Sequence, residues 1–372
     1  MVALALGLLA ALAVVDARAE DDPVFTVDSV HVDWSAESAA KARDLALADG
    51  QAQAFQRLVA RLVPRADRKA VPAPSGDGIA QLVQDFEVER EKTSPVRYIA
   101  DLKVRFRRET VLSLLRTAGV RFALTQSKLL VVLPVYRRAG ALSLWDEVNG
   151  WLHAWQGLPP SDTLVPLAVP EGDLADIADI GPEQALAGDE ARIAAIARRY
   201  GAGGALLAYA VPGTRAGAAP LVEVTLSQFA GAARERTLVL TIAGEAGESE
   251  AALLKRAAAK VRDEVEENWK RDNLIRFDER RYLVVLAPLR GIDDWVRINR
   301  ALEGIAFIEK SELMQLSRGE ASLRLTFLGD EEQLALALAQ RDLDLARGPL
   351  SWVLRVRPAA PAAGAPAGAA DP

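Results

Sequence analysis

The chain of 372 residues contains no cysteine and only two histidines. The absence of cysteine excludes disulfides, thiolate catalysis, zinc–thiolate sites and a lipidated N-terminal cysteine. Two histidines and no Gly-x-Ser-x-Gly motif leave few members for a hydrolase triad. The net charge of −6 argues against a nucleic-acid surface, which normally carries a basic excess. We therefore expect no catalytic residue, no cofactor and no metal.

Long apolar runs are also absent after the first twenty residues, so no internal membrane span is predicted. Residues 2–15 are apolar, which matches the core of a signal peptide and is shorter than a spanning helix. Ala17-Arg18-Ala19 supplies a small-x-small cleavage pattern, so we expect residues 1–19 to be a signal peptide and the protein to be periplasmic or secreted. No Lys or Arg precedes the apolar run, so an uncleaved anchor or a buried N-terminal segment is the alternative.

The composition, 50% hydrophobic and 26% charged, is that of a globular protein, and the length predicts two or three domains. We predict an α+β protein of three modules. The expected boundaries are residues 20–122, 128–272 and 280–357, followed by a disordered tail of Pro, Ala, Gly and Asp at 358–372.

The first module is predicted to be a β-α-β-β-α sandwich. Its predicted elements, in chain order, are a strand at 24–34, a helix at 35–62 capped by Ser35, a loop at 66–78 and a hairpin at 86–106. The apolar face of the helix is predicted to comprise Leu45, Ala48, Ala52, Phe55, Val59 and Leu62.

This order, with the Ala-rich helix at 40–62 and the later stretch TSPVRYIADLKVRFRRETVLSLLRTAGV, resembles an exported bacterial family catalogued as domain of unknown function 2066. The resemblance covers the first third of the mature chain. It implies export and a place in the cell envelope, and it implies no activity and no catalytic residue.

The hairpin carries an acidic strand opposite a basic strand, and two interpretations apply. Cross-strand pairing would account for both charge runs, whereas an exposed mixture of charges would suit docking to another envelope protein. The candidate contact residues are Glu87, Glu89, Glu91, Lys103, Arg105 and Arg107.

The second module is predicted to be a mixed α/β unit with a buried strand at 128–135 and a helix that includes Trp145, Trp151 and Trp155. Trp151 and Trp155 are neighbours at i, i+4, so they form either a core contact or a platform for a sugar or peptide. The third module is predicted to be ferredoxin-like, β-α-β-β-α-β. Its first strand, at 282–289, echoes the strand at 128–135, which suggests an internal repeat.

Other motifs have structural interpretations. Ser38 and Lys41 form a Ser-x-x-Lys pattern without its downstream partners, and His31 and Asp33 share a strand face. Gly201 follows a helix and is interpreted as its C-cap rather than as part of a phosphate loop. The carboxylates at 171–190 lack EF-hand spacing, so a solvated loop is expected in preference to a calcium site.

The sequence therefore predicts a non-catalytic, exported, envelope-associated binding or assembly protein whose partners are other envelope proteins. The alternative is a periplasmic binding protein that holds a small sugar or peptide between its second and third modules. A hydrolase ranks third among the hypotheses, because the sequence contains no catalytic motif that would support it.

Overall fold

Three separate β-sheets, each covered by helices, form the protein and confirm the α+β class. The computed structural model describes residues 22–74, 76–160, 162–214, 220–230, 233–275, 280–349 and 351–357. The predicted signal peptide and the predicted tail lie outside these residues.

The N-terminal unit is a three-stranded antiparallel sheet in the order β1-β3-β2, with α1 packed across it. Its elements are β1 (Thr26–Ser35), α1 (Ala39–Leu62), α2 (Asp77–Leu82), β2 (Val83–Thr93), β3 (Arg97–Phe106) and α3 (Arg108–Thr117). The predicted hairpin is present as β2 and β3. The region expected to be a loop also contains a 3₁₀ turn (Arg68–Ala70) and the start of α2, so that expectation was only partly right.

The helix α1 begins four residues later than predicted. Ser38, not Ser35, caps it, because the Ser38 hydroxyl accepts from the Lys41 amide at 3.2 Å. The same contact explains the Ser-x-x-Lys pattern as a helix cap. At the closest approach to the sheet, a Cβ on Gly50 would lie 2.4 Å from Cδ1 of Leu102.

That close approach rotates the buried face of α1 from the predicted one. Leu45 and Ala52 are half-buried and Ala48 is exposed, whereas Phe55, Val59 and Leu62 are buried as predicted. The buried face instead follows a spacing of four residues through small side chains, which lets the helix backbone lie close to β1 and β3. Its members are Ala42, Ala46, Gly50, Ala54 and Leu58.

The central unit is a mixed sheet in the order β10-β9-β8-β4-β7, with β5 paired to β6 and β8. Its elements are β4 (Leu130–Leu133), β5 (Tyr136–Arg138), β6 (Ala141–Ser143), α4 (Gly150–Gln156), β7 (Leu167–Ala168), α5 (Leu174–Asp179), α6 (Pro182–Ala187), α7 (Glu190–Arg199), β8 (Gly204–Thr214), β9 (Pro220–Ala230), β10 (Ala233–Ala243) and α8 (Glu250–Asp272).

Two local predictions in this unit were wrong. Asn149 caps α4 by accepting from the amides of Trp151 and Leu152, so the helix excludes Trp145. The stretch expected to be a loop before residue 188 contains α5 and α6, because Asp173 caps α5 and Pro182 opens α6.

The C-terminal unit has five strands in the order β12-β13-β11-β15-β14. Its elements are β11 (Arg280–Pro288), α9 (Ile292–Glu303), β12 (Ile308–Leu316), β13 (Glu320–Leu328), α10 (Glu331–Gln340), β14 (Leu343–Arg347) and β15 (Trp352–Val356). The predicted ferredoxin-like plan omitted β14. In the structure, β14 is the edge strand, and β15 lies between it and β11, parallel to β11.

The N-terminal and C-terminal units share one hydrophobic core, while the central unit has its own core on each face of its sheet. The chain enters and leaves the central unit through two adjacent segments joined by an antiparallel bridge between Ala123 and Leu274. The Ile275 amide also donates to the Phe122 carbonyl at 2.9 Å. The central unit is therefore an insertion between two parts of a larger body.

Candidate functional site

The charged hairpin, the docking surface predicted from the sequence, pairs many of its charges internally. Glu87 lies opposite Lys103 in the strand register, and the Arg105 guanidinium contacts the carboxylates of Asp85 and Glu87. The Arg107 guanidinium donates to the Gln81 carbonyl at 2.8 Å. This arrangement fits the cross-strand pairing interpretation.

Two acidic side chains of the hairpin extend toward solvent. Glu89 and Glu91 are exposed, and the Glu91 carboxylate lies 4.0 Å from the Arg43 guanidinium. They lie on β2, an edge strand of the N-terminal sheet. Docking at the hairpin stays a prediction that depends mainly on these two carboxylates.

The tryptophan pair does not form a surface platform. Trp151 and Trp155 are 0% and 2% exposed, and their rings meet edge to face with centroids 5.7 Å apart. The Trp151 indole N–H donates to the Ala208 carbonyl at 2.8 Å. Because both rings belong to the core between α4, α8 and the central sheet, the platform interpretation is wrong and core packing is right.

The remaining sequence candidates also have structural roles. His31 and Asp33 do not pair with each other, because His31 Nδ1 lies 2.9 Å from Asp101 and Asp33 accepts from Arg97. Gly201 has a φ of 61° immediately after α7, as expected of a helix C-cap.

The carboxylates at 171–190 are largely helix caps and hydrogen-bond acceptors, so they do not form the solvated loop expected from the sequence. Asp176 is buried and accepts a hydrogen bond from the Tyr200 hydroxyl at 3.0 Å. Burial of the Tyr200 hydroxyl raises the pKa of Tyr200 to about 12. Within the described ranges, no group of three or more His, Asp or Glu side chains is placed to hold a metal ion.

An open cleft of about 1090 Å³ lies between the central and C-terminal units, and we call it the interunit cleft. The central unit contributes residues at or just before β4 and β8, one end of β9, and Trp269 of α8. The C-terminal unit contributes α9, α10 and the ends of β14 and β15. The lining residues used below are Ser127, Lys128, Gly203, Gln228, Trp269, Arg297, Arg300, Leu336, Gln340, Arg341, Asp342 and Arg357.

Lys128 links the two walls of the interunit cleft. Its amide donates to the side-chain carbonyl of Gln340 at 2.9 Å, and its ammonium contacts the Asp342 carboxylate. The Lys128 stem lies across Gly203, where an added Cβ would come within 2.5 Å of the Lys128 Cβ. A side chain at position 203 would therefore displace the residue that joins the two units.

The interunit cleft is basic although the whole chain is acidic. Five cationic side chains line it against one carboxylate, and that carboxylate already pairs with Lys128. The cations are Lys128, Arg297, Arg300, Arg341 and Arg357.

The arginines of α9 are the most available cations in the interunit cleft. Arg341 donates to the Gly304 carbonyl at 2.7 Å, and Arg357 lies 4.0 Å from Asp344. Arg297 and Arg300 are exposed, and among the described residues neither guanidinium donates a hydrogen bond or forms an ion pair within 4 Å, although Arg297 interacts electrostatically with Asp294, the partner of Arg290. They are spaced i, i+3, so they lie on the same side of α9.

A smaller pocket of about 170 Å³ shares Gln228 and Trp269 with the interunit cleft. Its wall is partly aliphatic and partly polar, and it includes the ion pair between Arg236 and Asp272, with an N–O distance of 2.6 Å. The aliphatic residues are Leu206, Leu226, Leu238 and Val265. We call this the side pocket.

A buried ionic network lies near the interunit cleft, where α8 meets the end of α1. The fully buried Lys270 ammonium donates to Glu267 at 2.6 Å and to the Ala60 carbonyl at 2.8 Å, and it lies 3.8 Å from Glu266. Burial raises the pKa of Glu266 to about 7 and lowers that of Lys270. The network fixes the end of α8 that carries Trp269.

Comparison with known proteins finds no matching protein family, no matching curated protein and no matching solved structure. The resemblance to the family of unknown function therefore stays a prediction. In the part of the chain that the structure describes, no helix is both long enough and apolar enough to cross a membrane.

The sequence pointed to a cleft between the second and third modules but to none of its residues. Arg297 and Arg300 belong to a short amphipathic helix, where exposed arginines are ordinary. Their spacing gives no distinctive signal, because acidic residues lie at pairing distance from both: Asp293 is four residues before Arg297, and Glu303 is three residues after Arg300.

Proposed function

We propose that the protein is a non-catalytic binding protein of the bacterial envelope whose ligand occupies the interunit cleft. The observation that carries this proposal is a large open cavity lined by five cationic side chains, of which Arg297 and Arg300 are exposed and form no close ion pair among the described residues. Ligand sites occur preferentially where domains meet, and a cleft lined by charges of one sign attracts ligands of the opposite sign.

The chemistry of the lining favours binding over hydrolysis. The Ser127 hydroxyl donates to the Lys128 carbonyl at 2.9 Å, and no histidine lies among the lining residues that the structure describes. The Asp342 carboxylate is paired with Lys128. A nucleophile with an adjacent base, which acyl transfer needs, is therefore not assembled by these side chains.

Docking to an envelope protein through the charged hairpin is the second candidate. The exposed Glu89 and Glu91 on an edge strand favour it. The internal pairing of Arg105 with two carboxylates counts against it, because those groups are already satisfied.

Photo-crosslinking distinguishes the two surfaces, and the natural lack of cysteine makes the labelling unambiguous. Leu336→Cys places a benzophenone maleimide in the interunit cleft, and Glu89→Cys places it on the hairpin. Leu174→Cys is the control, because Leu174 is 86% exposed and lies outside the cleft lining. Each labelled protein is irradiated in an extract of its native envelope.

We expect a discrete adduct with the Leu336→Cys protein and none with the Leu174→Cys protein. An adduct with the Glu89→Cys protein but not with the Leu336→Cys protein would show that the hairpin is the binding surface. No adduct at either position would reject the binding proposal.

A further inference from the structure

We infer that the ligand of the interunit cleft is an acidic peptide segment that inserts one aliphatic side chain into the side pocket beside Trp269. The inference rests on the proposed function and adds the chemical class of the ligand to it.

The charge of the interunit cleft is the first argument. Its cations come from different elements, with Arg297 and Arg300 on α9, Arg341 at the end of α10 and Arg357 after β15. Guanidinium groups distributed along a cleft suit a ligand with several separated carboxylates, each able to accept two parallel hydrogen bonds.

The side pocket is the second argument. Four of its nine lining residues are aliphatic, it shares Trp269 with the interunit cleft, and its volume of about 170 Å³ suits one side chain rather than a second ligand. The Trp269 indole N–H donates to the Thr125 carbonyl at 2.7 Å, so this ring is held in place between the cavities. A ligand with both carboxylates and an aliphatic group would use both cavities.

These features favour a peptide over a small anion or a nucleic acid. The volume of the interunit cleft, about 1090 Å³, exceeds the range of about 300–1,000 Å³ that is usual for small-molecule sites. Trp269 is the one aromatic residue among the described lining residues of the two cavities, whereas single-stranded nucleic acids are usually held by several stacking aromatics.

Fluorescence anisotropy with the purified full chain tests the inference. The probe is a fluorescein-labelled peptide of twelve residues that alternates Glu with Ala and carries one central Leu. Its counterparts replace every Glu by Gln, or the Leu by Ala, and a twelve-nucleotide oligothymidylate represents phosphate polyanions. We expect the acidic Leu peptide to bind more tightly than all three, with an affinity that falls as salt is added.

Matched variants locate the binding. R297Q/R300Q removes two charges in the interunit cleft, and R198Q/R318Q removes two exposed charges that do not line it. The first should raise the Kd of the probe at least tenfold, and the second should leave it within twofold. All four substitutions are on exposed side chains, and equal melting temperatures would show that the variants are folded.

Three results would overturn the inference. If R297Q/R300Q leaves probe binding unchanged, the peptide binds outside the interunit cleft. If the oligonucleotide binds more tightly than the acidic peptide, the cations of the cleft recognise phosphate groups. No probe binding, while the Leu336→Cys protein still forms its adduct, would mean a cleft ligand of another class. In that case the proposed function stands and the inference fails.

Discussion

Arg61 should contribute more to stability than any exposed arginine on the same helix. Its side chain is 3% exposed, and one terminal nitrogen donates to the carbonyls of Pro23, Val24 and Thr26 at 2.7 to 2.9 Å. Its Nε donates to the Asp162 carbonyl at 3.0 Å. Arg61 therefore joins α1 to the N-terminal segment and to the central unit.

The size of the effect follows from two opposing terms. Hydrogen bonds to a charged group contribute about 1.5–3 kcal/mol each, but burial of a guanidinium costs several kcal/mol. This burial also lowers the pKa of Arg61. Arg61→Met keeps the apolar stem, removes the buried charge and leaves the carbonyls unpaired, so we expect a net loss of about 3–5 kcal/mol.

Arg57→Met is the matched control, because Arg57 lies one turn earlier, is exposed, and donates to the Asp28 and Ser29 carbonyls at 3.3 and 3.2 Å. Urea unfolding followed by circular dichroism gives the comparison. At an m-value of about 3 kcal/mol/M, the Arg61 variant should lose at least about 1 M in midpoint, and the Arg57 variant far less. Equal, small losses in urea midpoint for the two variants would refute the conclusion that the buried hydrogen bonds of Arg61 stabilise the contact between units.

Three further comparisons test the packing and electrostatics by the same unfolding assay. Phe55→Ala should cost about 3–5 kcal/mol because its ring is buried, whereas Gln53→Ala should cost little; equal losses would mean that the buried face of α1 is misassigned. Trp151→Phe removes a buried hydrogen bond and should cost more than Trp155→Phe, whose indole N–H has no partner among the described residues; the reverse order would contradict the packing. Burial raises the pKa of Glu266 to about 7 from 4.5, so its protonated form favours folding and its contribution declines as pH rises through this window. The stability gain of Glu266→Gln over the parent protein should therefore grow by roughly 2 kcal/mol between pH 5 and pH 8, and a gain independent of pH would show that Glu266 titrates normally.

The sequence predicts the fold well where a local pattern or a capping residue determines a single strand or helix. The alternation of apolar and polar residues through Tyr98, Leu102 and Phe106 is typical of a strand with one buried face, and all three are buried in β3. Ser249 caps α8 by accepting from the Ala252 amide, as its position before an amphipathic run suggests.

The errors arose where tertiary contacts override local preference. The face of α1 depends on Gly50 meeting Leu102 of a strand some fifty positions away, which no helical periodicity encodes. The strand β14 is five residues long and follows α10 after Arg341 and Asp342, the latter with a φ of 59° that ends the helix abruptly.

The residues that line the interunit cleft could not be derived from the sequence, because their proximity depends on the insertion of the central unit. Only the adjacent entry and exit segments, bridged at Ala123 and Leu274, place Lys128 against Gln340 and Asp342. The arginines of the cleft carry no motif, and their common environment depends on the assembled units.

Hydrogen–deuterium exchange on the full chain, with and without its cross-linked ligand, tests the central claim most directly. If the ligand occupies the interunit cleft, the amides of α9, of α10 and of residues 127–130 should exchange more slowly, while those of β2 and β3 should not change. Slower exchange confined to β2 and β3, with α9 and α10 unchanged, would contradict the account and assign binding to the charged hairpin.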